Sequence, residues 1–523
     1  MRPRSIAHPF CVLAAVFTMA TATRAQDAVT CYPANHATRI NPDTHLVLTF
    51  SSPPALGKSG QIRIYDAAGH QLVDTLDLSI PAGPDPARRV AAAATVTVLD
   101  PSVPTSPTTT TPAVRTAPAD LHNYQLTTIG GLADFHFYPV IIHGNVATIY
   151  FHNGVLRYNH TYTVQVDPGV FTLVAGAFAG FTTDHAWRFS TKPAPPPADT
   201  TRVVVAADGS GDFNTVQGAV DFVPGSPSKR VTIFIRNGAY EEIVFFRDKA
   251  NLTFRGEDRD KVEVGYSNNS GFNPPQPGPN RRCAFSAYNS TGIEFLNFTL
   301  RNYAYGQAEG LLISGSRNMV SHMTIKGSGD ALNLRGSVYL TDSTIIGDGD
   351  TILGVGPAFF RHCEIRSIGP FMWIRNTADN HGNVFVDCTF TAVQRAVAVN
   401  RPASPAGASQ STAATPPSPA GPSSVLARLP NNHGLNYPYA EAVLIDCRLT
   451  GIPPSGWGPI DDDTAHIHFW EFHSTDADGH PIDVTGRHPV SRQLTEPSDA
   501  QTIANYRDPA FVLGGWTPVI EQP

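Results

Sequence analysis

Two aspartates at matching positions in consecutive sequence repeats are the residues of this chain best suited to catalysis. Asp330 lies seven residues after Met323, and Asp350 lies seven residues after Ser343. Each aspartate follows a strand-like segment and sits in a glycine-rich turn. If the repeats stack like neighbouring β-strands, the two carboxylates are about 5 Å apart. At that distance one carboxyl group should keep its proton near neutral pH, and the pair could perform acid/base or nucleophilic catalysis.

A non-catalytic explanation of the same spacing is a polar ladder of turn aspartates. Solenoid proteins often contain such ladders, and paired acids are only a statistical marker of a site. The spacing by itself favours the ladder, so a catalytic interpretation of Asp330 and Asp350 needs support from other residues.

The elements that must position the two aspartates form a repeat. Six strand-like segments align in one column, with spacings of 25, 20, 20, 25 and 59 residues. The column contains Phe298, Met323, Ser343, Cys363, Cys388 and Cys447. A period in the low twenties, with one β-strand per repeat, predicts a parallel β-solenoid. We expect its cysteines to be buried thiols in an interior ladder, with a disulfide as the alternative, and we expect the aromatic-rich tail after Cys447 to wrap the side of the solenoid.

The rest of the chain divides by composition. Residues 1–25 predict a signal peptide, because Arg2 and Arg4 precede an apolar run that is too short to span a bilayer. Residues 26–192 contain short alternating segments between turn-forming residues, which predicts a β-sandwich. A proline-rich linker, 193–200, then leads into the solenoid domain, 201–523.

Two low-complexity segments interrupt these domains. Residues 101–118 are rich in proline and threonine and predict a mobile loop in the first domain. Residues 401–424 cannot pack a core, so we expect a disordered insertion in the solenoid domain.

Bulk composition excludes several classes of function. The formal net charge is −7 and 15% of the residues are charged, so nothing indicates binding to nucleic acid. The cysteines are scattered, without the spacing of a disulfide framework or a zinc site. We expect a secreted or periplasmic monomer that has no membrane partner and no metal site.

The solenoid domain resembles the pectin methylesterases, a family of carbohydrate esterases, from Val203 to Pro518. The segment GAYEE, with Tyr240 at its centre, matches the Gly-x-Tyr-x-Glu motif. Gln307 in GQAEGLL matches the glutamine of the Gln-Ala-Val-Ala motif, which helps to form an oxyanion hole. The segments CYPANHATRINPDTHLVLTFSSP and HAWRFSTKP, at the two ends of the first domain, similarly resemble the bacterial Ig-like modules of secreted enzymes.

The same resemblance gives roles to the acidic pair. Asp330 in GDAL matches the family's general acid/base, and Asp350 in DTILG matches its nucleophile. Arg428 in LARLP matches the arginine that pairs with the nucleophile.

The resemblance implies an all-β protein, in which a right-handed parallel β-helix follows an Ig-like β-sandwich. It also implies an esterase that demethylates the galacturonan of pectin without a metal or cofactor. Asp350, kept ionised by Arg428, would attack the ester, and Asp330 would protonate the departing methoxide and then activate water. Gln307 and a backbone amide near Gly329 would hold the oxyanion. In this hypothesis Asp330 has no matched cation of its own, which predicts a raised pKa.

Further candidates for substrate contact lie around this pair. Phe371 and Trp373 are one coil beyond Asp350 on the same edge and predict either a sugar-stacking platform or half-buried packing. Gly329 and Tyr240 complete the set of substrate-binding candidates.

Departures from the family motifs keep other functions open. Gly329 replaces a second glutamine, Thr351 replaces a phenylalanine, and Pro430 stands in place of a tryptophan. The alternatives are an enzyme for another acyl ester or a thioester, a polysaccharide lyase or hydrolase, and a non-catalytic carbohydrate-binding protein. A lyase would want a calcium cluster with a basic residue near it, and the sequence offers no such pattern.

Overall fold

A computed structural model describes residues 29–84, 126–174, 176–393, 424–430, 437–461 and 463–519. The predicted signal peptide and the proline/threonine-rich segment lie outside the described residues, as does the predicted insertion apart from residue 424. Within the described ranges, no helix has the length and apolar character needed to cross a membrane.

The first part of the chain folds into two sheets that share one core. Its strands are β1 (Thr30–Tyr32), β2 (Ala37–Ile40), β3 (Leu46–Thr49), β4 (Ala55–Leu56), β5 (Gln61–Asp66), β6 (Gln71–Asp77), β7 (Leu126–Ile129), β8 (Leu132–His136), β9 (Val140–His143), β10 (Val146–Ile149), β11 (Thr161–Val166), β12 (Phe171–Thr172) and β13 (Arg188–Thr191). One sheet has the order β1-β3-β10-β9 and the other β2-β13-β11-β5-β6, while β4 pairs with β12 and β7 with β8.

Alternating side chains create the core between these two sheets. Leu46 and Leu48 on β3 are fully buried, as are Ile62 and Ile64 on β5, because every second residue of a strand faces the same side. The buried indole of Trp187 donates a hydrogen bond to the carbonyl oxygen of Pro33 at 2.8 Å. The resemblance of this sandwich to Ig-like modules stays a prediction.

The second part of the chain is a stack of parallel coils. Its strands are β14 (Arg202–Val205), β15 (Val231–Ile235), β16 (Gly238–Glu241), β17 (Val244–Arg247), β18 (Leu252–Gly256), β19 (Val262–Tyr266), β20 (Phe285–Thr291), β21 (Glu294–Leu296), β22 (Thr299–Asn302), β23 (Leu311–Ser321), β24 (Thr324–Lys326), β25 (Leu332–Thr341), β26 (Thr344–Gly347), β27 (Ile352–Gly354), β28 (Ala358–Arg361), β29 (Glu364–Ser367), β30 (Met372–Ile374), β31 (Asn383–Val386), β32 (Thr389–Ala392), β33 (Ala427–Arg428), β34 (Glu441–Ile445), β35 (Arg448–Thr450), β36 (His468–Phe472) and β37 (Ser491–Gln493). The helices are α1 (Val216–Phe222), α2 (Ala500–Arg507) and α3 (Pro509–Val512).

Each central coil of this stack contributes three strands, so the expectation of one strand per repeat is wrong. In one coil these strands are β27, β28 and β29. The third strand of each coil lies in an eight-stranded sheet with the order β16-β19-β22-β24-β26-β29-β32-β35. The first and second strands of the coils lie in one larger sheet, which the long strands β23 and β25 join together. The paired strands of the stack run parallel, which confirms the predicted parallel β-helix.

The column that predicted the repeat lies in the interior of the stack. The N–H of Met323 donates to the hydroxyl of Ser343 at 3.0 Å, and the N–H of Cys363 donates to the sulfur of Cys388 at 3.4 Å. Each of the six column residues is at most 2% exposed. The five cysteines of the described chain are free thiols, which confirms the expected thiol ladder over a disulfide.

The end of the chain partly corrects the expectation for the tail. Strand β36 pairs with β34 and β37 pairs with β36, so the stack continues beyond Cys447. Helices α2 and α3 then pack on the outside of the stack through Tyr506 and Val512, against Phe359 and Val443. Only the last part of the tail therefore lies on the side of the solenoid.

The sandwich contacts the first coils directly. The carboxylate of Asp43 accepts hydrogen bonds from the N–H groups of Asn214 and Thr215 and from the Thr215 hydroxyl, each at 2.8 Å. Phe245 of the stack is buried in the core of the sandwich. Thr215 is the N-cap of α1. Asp43 of the sandwich therefore accepts hydrogen bonds from N–H groups at the start of a helix that belongs to the stack.

Candidate active site

The two predicted aspartates occupy equivalent turns on neighbouring coils. Asp330 lies between β24 and β25, and Asp350 lies between β26 and β27. The residues that follow each turn are paired across the coils, with Leu332 opposite Ile352. The repeat therefore places the aspartates one strand spacing apart, about 5 Å along the stack.

Arg428 holds the carboxylate of Asp350. Its Nε donates to Oδ1 of Asp350 at 2.6 Å, and its Nη2 contacts Oδ2. Arg428 lies on β33, and its partner in the parallel pairing of β33 with β30 is Trp373. Two parallel bonds of this kind fix the plane of a carboxylate as well as its charge. The side chain of Asp350 retains 12% exposure, which leaves the carboxylate reachable from outside.

A second arginine contacts Asp330, which corrects the expectation that this carboxyl group has no cation of its own. Nη2 of Arg282 lies 3.0 Å from Oδ2 of Asp330. The same guanidinium binds the fully buried Glu309, with its Nε at 2.8 and 2.9 Å from the two carboxylate oxygens.

The pKa of Asp330 is nevertheless raised, in the predicted direction, to about 7. Burial is the largest cause, the negative charge of Glu309 comes next, and Asp350 adds to the same effect. The positive charge of Arg282 opposes the rise. Asp330 therefore holds a proton in the pH range in which an ordinary aspartate is ionised.

Of the two predicted oxyanion donors, Gln307 is accessible, whereas the backbone amide of Gly329 is already hydrogen-bonded. Gln307 is exposed and adopts a left-handed backbone conformation, with φ of 42°. Its backbone approaches Gly329 so closely that a Cβ at position 329 would lie 3.1 Å from the Gln307 nitrogen. The N–H of Gly329, however, donates to the carboxylate of Asp348. That amide is occupied, so the structure does not offer it as a free oxyanion donor.

Among the predicted sugar-stacking residues, Trp373 alone reaches the surface of the site. Its ring lies 5.3 Å from the Arg428 guanidinium carbon and 4.8 Å from that of Arg375. Phe371 is 0% exposed and packs against Phe390, with ring centroids 5.3 Å apart. The substrate-binding prediction is wrong for Phe371, because its ring belongs to the interior of the coil.

Tyr240 is also placed away from the aspartates. It lies on β16, three strands from β24 along the eight-stranded sheet, and is 3% exposed. Its hydroxyl donates to the carbonyl oxygen of Arg236 at 2.8 Å. Tyr240 lines a cavity of about 700 Å³ between the sandwich and the stack, so it does not belong to the substrate site at the aspartates.

The sequence interpretation missed Arg282, Glu309 and Asp348. Glu309 had a visible signal, because it replaces the valine of the motif that Gln307 begins. Arg282 had none, since it contacts Asp330 across 48 residues of chain. Asp348 stands two residues before Asp350. Its carboxylate accepts a hydrogen bond from the hydroxyl of Ser328, in the preceding coil, at 2.9 Å.

A possible cation-binding group in the described ranges lies elsewhere. Ligand atoms of Asp476, Asp478 and His480 are within 4.8 Å of one another, in a turn where two of the three side chains are exposed. The carboxylate of Asp476 accepts hydrogen bonds from the N–H groups of Asp478 and His480. These bonds explain the cluster as a turn, and a metal-free reaction stays a prediction.

Comparison with known proteins gives matches to pectinesterases. Residues 202–402 match the pectinesterase family model. Two Arabidopsis thaliana proteins are similar: probable pectinesterase/pectinesterase inhibitor 19, 30% identical over 187 residues (35% of this chain, 36% of that one), and probable pectinesterase/pectinesterase inhibitor 42, 32% identical over 207 residues (36% and 38%). The chain thus spans about a third of the length of these relatives.

Solved structures give similar matches at lower identity. The pectin methylesterase from carrot is 23% identical with a TM-score of 0.47, and the match covers 62% of this chain and 95% of that one. The pectin methylesterase from Erwinia chrysanthemi is 21% identical with a TM-score of 0.46, covering 62% and 99%.

Proposed function

We propose that the domain that contains residues 202–402, which match the pectinesterase family model, is a pectinesterase and that it hydrolyses methyl esters of galacturonan in pectin. The products are methanol and a free uronate. Asp350 is the nucleophile, Asp330 is the general acid and then the general base, and Arg428 orients Asp350.

The first half of the proposed reaction forms an acyl-enzyme. A carboxylate oxygen of Asp350 attacks the ester carbonyl carbon, and the electron pair of the carbonyl bond moves to its oxygen. When the carbonyl re-forms, the bond to the methoxy oxygen breaks and the proton of Asp330 passes to that oxygen, which leaves as methanol. The acyl group is then held as an anhydride on Asp350.

The second half reverses the proton transfer. Asp330, now ionised, takes a proton from water, and the resulting hydroxide attacks the substrate carbonyl carbon of the anhydride. The bond to the Asp350 oxygen breaks, which frees the uronate and restores the carboxylate. Each cycle consumes one water. One proton of that water replaces the proton that Asp330 gave to methanol, and the hydroxide becomes part of the uronic acid, which ionises to the uronate and a proton.

The observation that carries this proposal is the contrast between two carboxyl groups on adjacent coils. Asp350 accepts two bonds from Arg428, whereas the pKa of Asp330 is raised to about 7. A charged nucleophile beside a protonated acid is the pair that ester hydrolysis through an anhydride requires. Exposed Gln307 is the candidate oxyanion donor, and Trp373 is the candidate contact for a sugar ring.

The test is release of methanol from methyl-esterified pectin by the purified full chain. The wild type should release methanol and acid in equal amounts, and Asp350→Asn should release none. Methanol release by a folded Asp350→Asn variant would contradict the proposed nucleophile. A wild type that is inactive on pectins of every degree of esterification would contradict the proposed substrate.

A second candidate substrate is another acyl ester or a thioester. It is favoured by the loss of two features of the family's site: Gly329 replaces a glutamine, and its backbone amide is bound to Asp348. The same aspartates would perform the same steps with another leaving group. Hydrolysis of acyl thioesters or of p-nitrophenyl acetate, without methanol release from pectin, would favour this candidate.

Location and assembly complete the proposal. The signal peptide predicted for residues 1–25 supports export of the protein. The exported protein would meet its polysaccharide substrate outside the cell or in the periplasm. We propose a monomer, and size-exclusion chromatography with light scattering tests this.

A further inference from the structure

Glu309 is a third carboxylate beside the two aspartates, and the proposed reaction does not use it. It is 0% exposed. The N–H at Nε of Arg282 is shared between its two carboxylate oxygens, Nη2 of the same guanidinium donates to Oε1 at 2.5 Å, and the amide of Asn333 donates at 3.3 Å. Arg282 in turn bridges to Asp330 at 3.0 Å. Glu309 and Asp330 therefore compete for one guanidinium.

We infer that Glu309 is a positioning residue, which neutralises Arg282 and so leaves the proton on Asp330 for delivery to the leaving group. This inference rests on the proposed function, because it concerns the acid step of that reaction. It deepens the proposal by naming a residue that extends to higher pH the range in which Asp330 can deliver its proton.

The charges around Asp330 support this role. Three carboxyl groups, Asp330, Glu309 and Asp350, share two directly bonded guanidinium groups, those of Arg282 and Arg428. Arg375 adds a weaker favourable charge, and Asp348 binds the adjacent amide of Gly329. With all three carboxyls ionised, one negative charge would have no bonded cation, and binding one proton removes that cost.

The geometry indicates which of the three carboxyl groups takes the proton. Arg282 grips Glu309 with Nε on both oxygens, and Asn333 donates to the same carboxylate. Asp330 receives a single contact from Arg282. Because hydrogen bonds to an ionised carboxylate favour the charged form, Glu309 keeps its charge, and its pKa is lowered despite complete burial. The proton then resides on Asp330.

The chain without Glu309 should behave differently. The family motif Gln-Ala-Val-Ala has a valine where this chain has Glu309. With valine at that position, Arg282 would lose the carboxylate of Glu309 and keep its contact with Asp330. An arginine that faces a single aspartate lowers the pKa of that aspartate. Such a site would hold an ionised Asp330 at neutral pH and would have to gain its proton from another source.

The test compares pH profiles of kcat and kcat/KM for three variants. Glu309→Gln keeps the shape of the side chain and removes its charge, so the high-pH limb should move to lower pH by at least about one unit, with about a tenfold loss of kcat at neutral pH. Glu309→Asp retains the charge and should restore most of the wild-type profile. The matched control is Glu471→Gln, because Glu471 is another fully buried carboxylate bound to an arginine, Arg487, far along the chain.

The outcomes separate positioning from simple structural support. A structural role would lower the melting temperature of Glu309→Gln and Glu471→Gln alike and leave both pH profiles unmoved, which would overturn the inference. An unchanged high-pH limb in a folded Glu309→Gln protein would overturn it as well.

A direct titration keeps the inference testable if the variant does not fold or if the wild type proves inactive on pectin. Carbon-13 NMR of aspartate-labelled wild-type protein, with Asp330→Asn to assign the signal, should give a pKa of about 7 for Asp330. A value in the ordinary range of aspartate would overturn the inference, whatever the substrate. Failure of the methanol assay with a raised value would overturn the proposed substrate and leave the role of Glu309 standing.

Discussion

Asp330 and Asp350 each stand two residues before a strand residue, and those strand residues, Leu332 and Ile352, are direct partners on adjacent coils. The spacing between the acidic groups is thus set by the backbone ladder and not by a flexible loop. The two side chains differ in what holds them: Asp350 is bound by Arg428, and Asp330 shares Arg282 with Glu309.

The first prediction concerns the two aspartates themselves. Asp350→Asn should abolish turnover, because an amide cannot form the anhydride. Asp330→Asn should lower kcat by roughly 10²- to 10⁴-fold, the usual size of a lost general acid/base. Methanol release measures both effects, and far-UV circular dichroism shows whether each variant is folded. Wild-type activity in either folded variant would refute the assigned role.

The second prediction concerns the bond between Arg428 and Asp350. Arg428→Lys retains the charge but cannot make two parallel bonds to the carboxylate. We expect kcat/KM to fall on the order of tenfold to a hundredfold, because a hydrogen bond to a charged group contributes about 1.5–3 kcal/mol. Arg366→Lys is the matched control, since Arg366 pairs with Glu364 on the exposed surface. Equal activity of the two variants would show that the paired geometry is not needed.

The third prediction concerns stability and pH where the sandwich meets the stack. Burial raises the pKa of Glu242 to about 8, although its carboxylate accepts bonds from the N–H groups of Val216 and Gln217. Because the folded state holds a proton that the unfolded state has released, the free energy of unfolding should fall as pH rises from about 5 to about 8. Asp43, whose pKa is raised to about 6, acts in the same direction over the lower part of that range.

Thermal melts across this pH range provide the measurement. Glu242→Gln removes the titrating group, so its melting temperature should depend less on pH than that of the wild type. Glu257→Gln changes an exposed carboxylate and should keep the wild-type pH dependence. Parallel curves for wild type and Glu242→Gln would contradict the assignment.

The fourth prediction concerns the thiol ladder. Cys363, Cys388 and Cys447 are at most 2% exposed, and burial raises the pKa of Cys388 and of Cys447 above the ordinary value. A buried thiol that is protonated is a poor nucleophile, so these cysteines should not react with a disulfide reagent until the protein unfolds. Mass spectrometry of labelled native protein locates the modified residues, and labelling in denaturant is the control. Rapid modification of Cys388 in folded protein would show that the ladder opens.

Much of the fold could be predicted because repetition is visible in a single sequence. The column from Phe298 to Cys447 marks one interior position in successive coils, and each member is buried. The number of strands per coil could not be predicted, since β27 and β30 have three residues each, too few to show alternation.

The candidate site was predictable where function resides in short motifs. Asp330, Asp350 and Arg428 each lie in a motif, and the structure brings them together as expected. Arg282 and Glu309 are 27 residues apart in the chain and come into contact only when it folds. No local sequence pattern predicts an ion pair of that kind. Phe371 was misassigned because aromatic character does not reveal which side of a coil a residue faces, and here the ring points into the core.

Helix α1 has a consequence for the behaviour of the protein in solution. Its side chains Val216, Ala219 and Val220 are fully buried against the first strands, so the helix plugs the end of the stack. A bare coil there would present an apolar cross-section and an unpaired strand edge, onto which another molecule could add its own coils. The sandwich holds this plug in place through Asp43. Because α1 covers this end and the sandwich contacts α1, we expect the protein not to assemble end to end through its first coil.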